Sequence, residues 1–257
     1  MLGLTIALCA FSFLAGFIDS VVGGGGLIQL PALLILLPHG TPDADAFGTN
    51  KSASICGTLA ATWNYSRHVT LNWRAILPAA GAGFVFAGLG SRTVTLLHPS
   101  ALRPLILGLL VAVAIYTFVR KDFGSLHAPR LPLRKEVWLG ALVGGVIGFY
   151  DGFFGPGTGS FLIFIFIGVF GFDFLMASAS AKVINLATNA ASVLYFAWTG
   201  HVLYHLALPM ACCNVLGSVA GTRLAILRGS RFVRALFLIV VGAIICKLAW
   251  DMAHGRQ

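Results

Sequence analysis

Asp19 lies in GFIDSVVGGGGLIQLPALL (Gly16 to Leu34) and Asp151 in GFYDGFFGPGTGSFL (Gly148 to Leu162); these two carboxylates are set well inside apolar sequence. Lys51, in FGTNKSASICGTLAATWNYSRH, and Lys182, in ASAKVINLATNAASVLYF, are their basic counterparts. An ammonium within lipid costs about 3 kcal/mol or more, so it turns to a cavity or a partner. Helical spacing puts Ser178, Lys182, Asn185 and Asn189 on one stripe, and Lys51, Ser54 and Thr58 on its counterpart. Asn50 adjoins Lys51 but points about 100° round the helix. A single lysine near a span end would snorkel to the interface. A repeated lysine backed by amide and hydroxyl stripes favours an anion-binding site. For Asp19 and Asp151 two roles stand together: carrying a coupling proton, or stabilising the adjoining loop and neutralising a lysine.

Glycine clusters sit beside both acids. Gly24, Gly25 and Gly26 precede a short apolar segment at Leu27, and Gly157, Thr158 and Gly159 precede another at Ser160. Glycine permits close approach of a ligand to the backbone, and a helix start offers unpaired N–H groups and partial positive charge to an anion. Broken helices aimed at a substrate in mid-membrane are a recurrent transporter device. Neither run closes with Lys-Ser or Lys-Thr, so neither is a P-loop. No HExxH, paired CxxC, Ser–His–Asp order or acidic pair for Mg²⁺ is present. The expectation is therefore no catalytic residue, no metal and no cofactor. The five cysteines read as small apolar residues. His68, His98, His127, His201, His205 and His254 fall near segment ends and carry little weight.

The two motifs are echoes of each other. Gly16, Phe17, Asp19 and Gly23 lie 132 positions before Gly148, Phe149, Asp151 and Gly155, while Lys51, Arg92 and Arg103 lie 131 before Lys182, Arg223 and Arg234. Such an offset marks an internal duplication. Composition agrees with a lipid setting: 58% apolar and 10% charged residues, where soluble domains carry roughly 25% charged. The net charge of +9 is spread between apolar runs and points to cytoplasmic loops, not nucleic acid.

Ten apolar segments can be drawn, at about Leu2–Ile18, Leu27–Leu37, Asp45–Tyr65, Ala75–Leu89 and Ala101–Val119, then Val137–Phe153, Ser160–Phe170, Phe172–Trp198, Leu203–Gly221 and Phe232–Trp250. Met1 to Ile18 lacks a basic leader and a cleavage site and reads as a retained segment. The expected organisation is a first transmembrane repeat (1–120), a linker (121–135) and a second repeat (136–257). The second segment of each half is too short to cross a core about 30 Å thick and reads as a half-helix or re-entrant hairpin. With the linker inside, the cytoplasm receives eleven basic residues (Arg67, Arg74, Arg120, Lys121, Arg130, Arg134, Lys135, Arg223, Arg228, Arg231, Arg234) and the exterior three (Arg92, Arg103, Arg256), a positive-inside bias. Five segments per half makes the repeats inverted, with both termini outside. A drawing with four crossings per half puts Arg223–Arg234 outside and is rejected. The expected fold is thus an all-α polytopic membrane protein of two inverted five-segment repeats. Trp63, Trp73, Trp138, Trp198 and Trp250 near span ends suit an aromatic belt.

GFIDSVVGGGGLIQLPALL, GTNKSAS, GFYDGFFGPGTGSFL and AKVINLATN together resemble the sulfite exporter TauE/SafE family, also called four-toluene-sulfonate uptake permeases, nearly end to end. The resemblance implies an inner-membrane transporter of small organosulfur or sulfur oxyanions, sulfite or an organosulfonate first, driven by an ion gradient; Asp19 and Asp151 point to H⁺ as the coupling ion. The expected partners are a small anion, that coupling ion and the bilayer; the protein is expected not to be an enzyme. Alternatives are a passive anion channel and an intramembrane enzyme acting on a lipid phosphate.

Overall fold

The protein is described by a computed structural model covering residues 2–38, 40–93 and 132–253. The expected fifth segment, Ala101–Val119, and most of the linker lie outside the described residues. Among the described residues there are helices and no strand: α1 (Leu2–Val22), α2 (Gly26–Leu36), α3 (Asp43–His68), α4 (Trp73–Thr93), α5 (Leu133–Phe153), α6 (Thr158–Ile165) with a π turn at Phe166–Phe170, α7 (Phe174–Trp198) and α8 (Tyr204–Ala253). Helix α8 bends at Gly229, where φ is 68°, so the two segments expected in its place are joined by a kink. Ser230 beside that kink ties it to the start of α7. Its Oγ donates to Asp173 Oδ1 at 3.0 Å and accepts from the Leu175 N–H at 3.2 Å, while Asp173 caps α7 by accepting from the Met176 N–H.

Among the described residues three helices, Leu2–Val22, Trp73–Thr93 and Tyr204–Val240, are long and apolar enough to cross a membrane, and Gly26–Leu36 and Thr158–Phe170 are shorter apolar helices. Eleven residues rise only about 16 Å, which accords with half-helices after the glycine loops. Helix α5 begins at Leu133, earlier than the expected Val137, because Glu136 is buried there and accepts from Asn72 Nδ2 at 3.3 Å with both oxygens. Trp63, Trp73, Trp138 and Trp198 are exposed.

Small residues determine how the long helices seat. Gly140, Gly144, Gly148 and Gly152 of α5 face Ala75, Ala79, Gly83 and Ala87 of α4 in register, and a methyl group at Gly148 would lie 2.6 Å from the Gly83 backbone. Such four-residue stripes let helix backbones touch where lipid removes the hydrophobic drive. The same register recurs between α1 and α8. Gly16 abuts the Asn214 carbonyl, and Ser12 Oγ donates to Met210 O at 2.8 Å. Each half therefore seats its first helix against the fourth helix of the other half.

Contact order also gives directions. Helix α3 runs parallel to α8, with Gly57 against Asn214 and Asn64 near Thr222. Helix α4 runs parallel to α7, with Gly83 against Ile184 and Ser91 bonded to Ser192 at 3.0 Å. Helices α3 and α7 are antiparallel: Gly48 meets Phe196, Thr58 meets Asn189 and Tyr65 meets Ser178. Helices related by the 131–132 offset thus run in opposite directions.

Candidate functional site

Where α1 and α5 end, the chain breaks into its glycine loops, and the two loops meet, Gly23 against Gly159 and Gly26 against Pro156. A helix end leaves its last carbonyls without intrahelical partners. Those of α1 are met by hydroxyls from three other helices: Tyr65 donates to Ser20 O (2.9 Å), Ser178 to Val21 O (2.5 Å) and Ser160 to Val22 O (2.9 Å). On the other side, Tyr150 donates to Pro156 O at 2.6 Å and Thr158 to Gly155 O at 2.6 Å, fixing the second loop. Gly23 and Gly155 both have positive φ, 77° and 88°, a conformation open to glycine. Gly23 lies backbone to backbone against Gly159, which leaves no room for a side chain at either.

The four charged residues meet here, and they pair across the halves. Lys182 Nζ donates to Asp19 Oδ2 at 2.7 Å, and Lys51 Nζ lies 2.8 Å from Asp151 Oδ2. The two contacts differ in kind. The Lys182 side chain is fully enclosed, while that of Asp19 is 23% exposed and accepts a second bond at Oδ1 from the Gly25 N–H at 3.3 Å. The Lys51–Asp151 contact is off the direction a hydrogen bond needs, so Asp151 Oδ2 has no hydrogen-bond partner among the described residues. A side chain at Gly155 would crowd the Lys51 ammonium, since its Cβ would fall 3.2 Å away.

A small, partly open cavity of about 30 Å³ adjoins these groups. Its wall is formed by Asp19, Gly23 and Gly26, by Asn50, Lys51 and Ser54 of α3, by Asp151, Gly155, Thr158 and Gly159, and by Asn185 and Asn189 of α7. Most of the residues singled out from the sequence are therefore in one wall. Lys182 is not; it stands behind Asp19. Gly24, Gly25, Gly157 and Thr58 also stand back from it. Gly24 accepts from the Leu27 N–H, Gly157 caps α6 with φ 88°, and Thr58 Oγ1 receives Asn189 Nδ2 at 3.4 Å. Thr58 and Asn189 are themselves 131 apart, so this bond joins two repeat mates at the centre.

Asn50 is the residue that helical phase left unassigned. It lines the cavity because both glycine loops wrap this part of α3, and its Oδ1 has no hydrogen-bond partner among the described residues; nor does Asn185 Oδ1. His201, given little weight from its place near a segment end, holds Asp45 Oδ1 at 2.8 Å through Nδ1 and joins the α7–α8 turn to the start of α3. No sequence spacing links those two positions. A larger hollow of about 450 Å³ lies among exposed residues at the α3–α4 turn, between Ser66 and Trp73, away from the paired charges. Among the described residues no three His, Cys, Asp or Glu side chains gather to hold a metal ion.

What the arrangement offers is a cluster of two ammonium and two carboxylate groups beside two helix starts, whose ends carry partial positive charge. Comparison with known proteins agrees with a membrane transporter. The chain is 36% identical to a probable membrane transporter protein, ORF9, of Sinorhizobium sp. over 95% of its own length and 91% of the relative's. It is 32% identical to probable membrane transporter proteins of Haemophilus influenzae, covering 96% and 95%, and of Escherichia coli K12 (YfcA), covering 96% and 89%. No solved structure matches. The model of the family described as Sulfite exporter TauE/SafE matches residues 8–248, and the chain belongs to that membrane transporter family.

Proposed function

We propose that the protein is an ion-gradient-driven secondary transporter of a small anion, sulfite or an organosulfonate, coupled to protons. The observation that carries this reading is the crossed pairing of Lys51 with Asp151 and Lys182 with Asp19 at the point where both glycine loops open into short helices. An ammonium and helix-start N–H groups bind an oxyanion, and intramembrane acids serve proton movement. The family description supplies sulfite as the first candidate cargo.

The cavity supports a carrier over an open pore. About 30 Å³ holds roughly two waters, less than an oxyanion needs, which supports a site that widens during transport. The opposed directions of the repeat-related helices support an inverted pair of repeats rocking about a fixed site. With the positive-inside bias, this reading puts the protein in the inner cell membrane, both termini outside and the 121–135 linker in the cytoplasm. The test is flux in proteoliposomes, with sulfite, thiosulfate, sulfoacetate and taurine offered separately. Uphill accumulation of one of them on an imposed pH gradient is expected. Flux that only dissipates gradients would make the protein a channel, and conversion of the anion to another compound would make it an enzyme.

A further inference from the structure

We infer that the carrier is an electroneutral one-to-one symporter of protons and singly charged anions, in which the anion takes the place of Asp151 on Lys51 and Asp151 takes up the proton. The inference deepens the transport reading above and rests on it.

Its first ground is that the two ion pairs are not equivalent. Lys182 has no exposed side-chain surface, makes a directed bond to Asp19 and is absent from the cavity wall. Lys51 is in that wall, and its contact with Asp151 lacks hydrogen-bond direction. An entering anion thus meets Lys51 beside Asn50, Ser54 and Asn185, and Lys182 stays with Asp19. The second ground is charge. Lys51, Lys182, Asp19 and Asp151 sum to zero. On α4, Ser91 donates to Gly152 O at 3.3 Å, and Arg92, next along the helix, has an interaction of its own. The phenols of Tyr65 and Tyr150 are engaged with Ser20 O and Pro156 O.

When Lys51 turns to the anion, Asp151, 4% exposed, loses its counter-ion. An unpaired buried carboxylate is far more costly than a neutral acid, so a proton binds its freed oxygen. The added charges, one negative on the anion and one positive on the proton, cancel. The cluster is then neutral both empty and loaded, and crosses with no net charge. A dianion would leave one negative charge uncompensated, so hydrogensulfite and sulfonates are the class that fits, and fully ionised sulfite is not.

The test uses the full chain in proteoliposomes with methanesulfonate, which is singly charged throughout the working pH range. Voltage is set with a potassium gradient and valinomycin. A tenfold proton gradient should accumulate methanesulfonate about tenfold, and a 100 mV clamp at equal pH should not change the distribution. A carrier moving one net charge would shift it about fiftyfold per 100 mV. In Asp151→Asn, methanesulfonate should still exchange, but its distribution should follow voltage and ignore pH. Should that variant fail to fold, the voltage response of the unaltered protein decides alone. Voltage-driven accumulation by the unaltered protein would overturn the stoichiometry and leave the transport reading standing. No flux with methanesulfonate, or with sulfite, thiosulfate, sulfoacetate or taurine, would overturn both.

Discussion

Cutting the Lys182–Asp19 pair from either side should have unequal costs. Breaking a buried ion pair by removing one partner costs about 3–5 kcal/mol, because the remaining charge is stranded. Asp19→Leu strands an ammonium with no exposed side-chain surface, which puts the loss near the upper limit, about 5 kcal/mol. Lys182→Met strands a carboxylate that keeps 23% exposure and the Gly25 N–H, so the loss lies near the lower limit, about 3 kcal/mol. Replacing a whole buried pair by apolar residues is often near neutral. The double variant should therefore lose under about 2 kcal/mol, where additivity would give about 8. Reversible unfolding in mixed SDS micelles measures all four forms. A double variant as unstable as the sum of the singles, or Lys182→Met costing more than Asp19→Leu, would refute the claim that these charges are a coupled, asymmetrically enclosed pair.

Lys51→Ala should weaken anion binding by about one to two decades, the loss of a charge-assisted contact, while alanine at the exposed Arg228 should leave it unchanged; isothermal titration with sulfite reads both. Gly148→Val should destabilise the α4–α5 seam by about 1–3 kcal/mol through overpacking, whereas Gly81→Ala, with open space around it, should be neutral in the same unfolding assay. Single cysteines at Ser125 and Gly255, in a background free of other cysteines, should be reached from outside only at Gly255. Labelling at Ser125 in intact cells would reverse the assigned orientation.

Repetition made much of the site legible. The offset between the two Asp-glycine motifs and between Lys51 and Lys182 picked out the four charged residues that pair at the glycine loops, because a duplicated charge in lipid has few uses other than a shared centre. The partners were not legible. Asp19 and Lys51 lie in the same half and look like a local pair, yet each joins the opposite half, since the helices seat crosswise. Periodicity describes one helix at a time, so it placed Asn50 off the stripe without showing that loops enclose α3 from two sides. The His201–Asp45 contact spans 156 positions with no repeat mate to advertise it: the equivalent positions are Thr70 and Met176. Helix ends drifted where tertiary bonds decide them, as at Glu136 with Asn72.

Crosswise seating also governs how such a chain can be made. When α1 and α4 enter the membrane during synthesis, the faces that will hold them tightly are still untranslated. Ser12 must wait for Met210, 198 positions later, and the Ser12 carbonyl for the Asn214 amide. Until then the Ser12 and Gly16 face of α1 lacks its seat on α8, and the helix carries one charged side chain, Asp19, near its end. The first half is thus a held intermediate and not a finished unit. Assembly is completed by the last long helix, and a ribosome that stalls before residue 210 releases a product that carries all four paired charges but lacks the seat that holds α1.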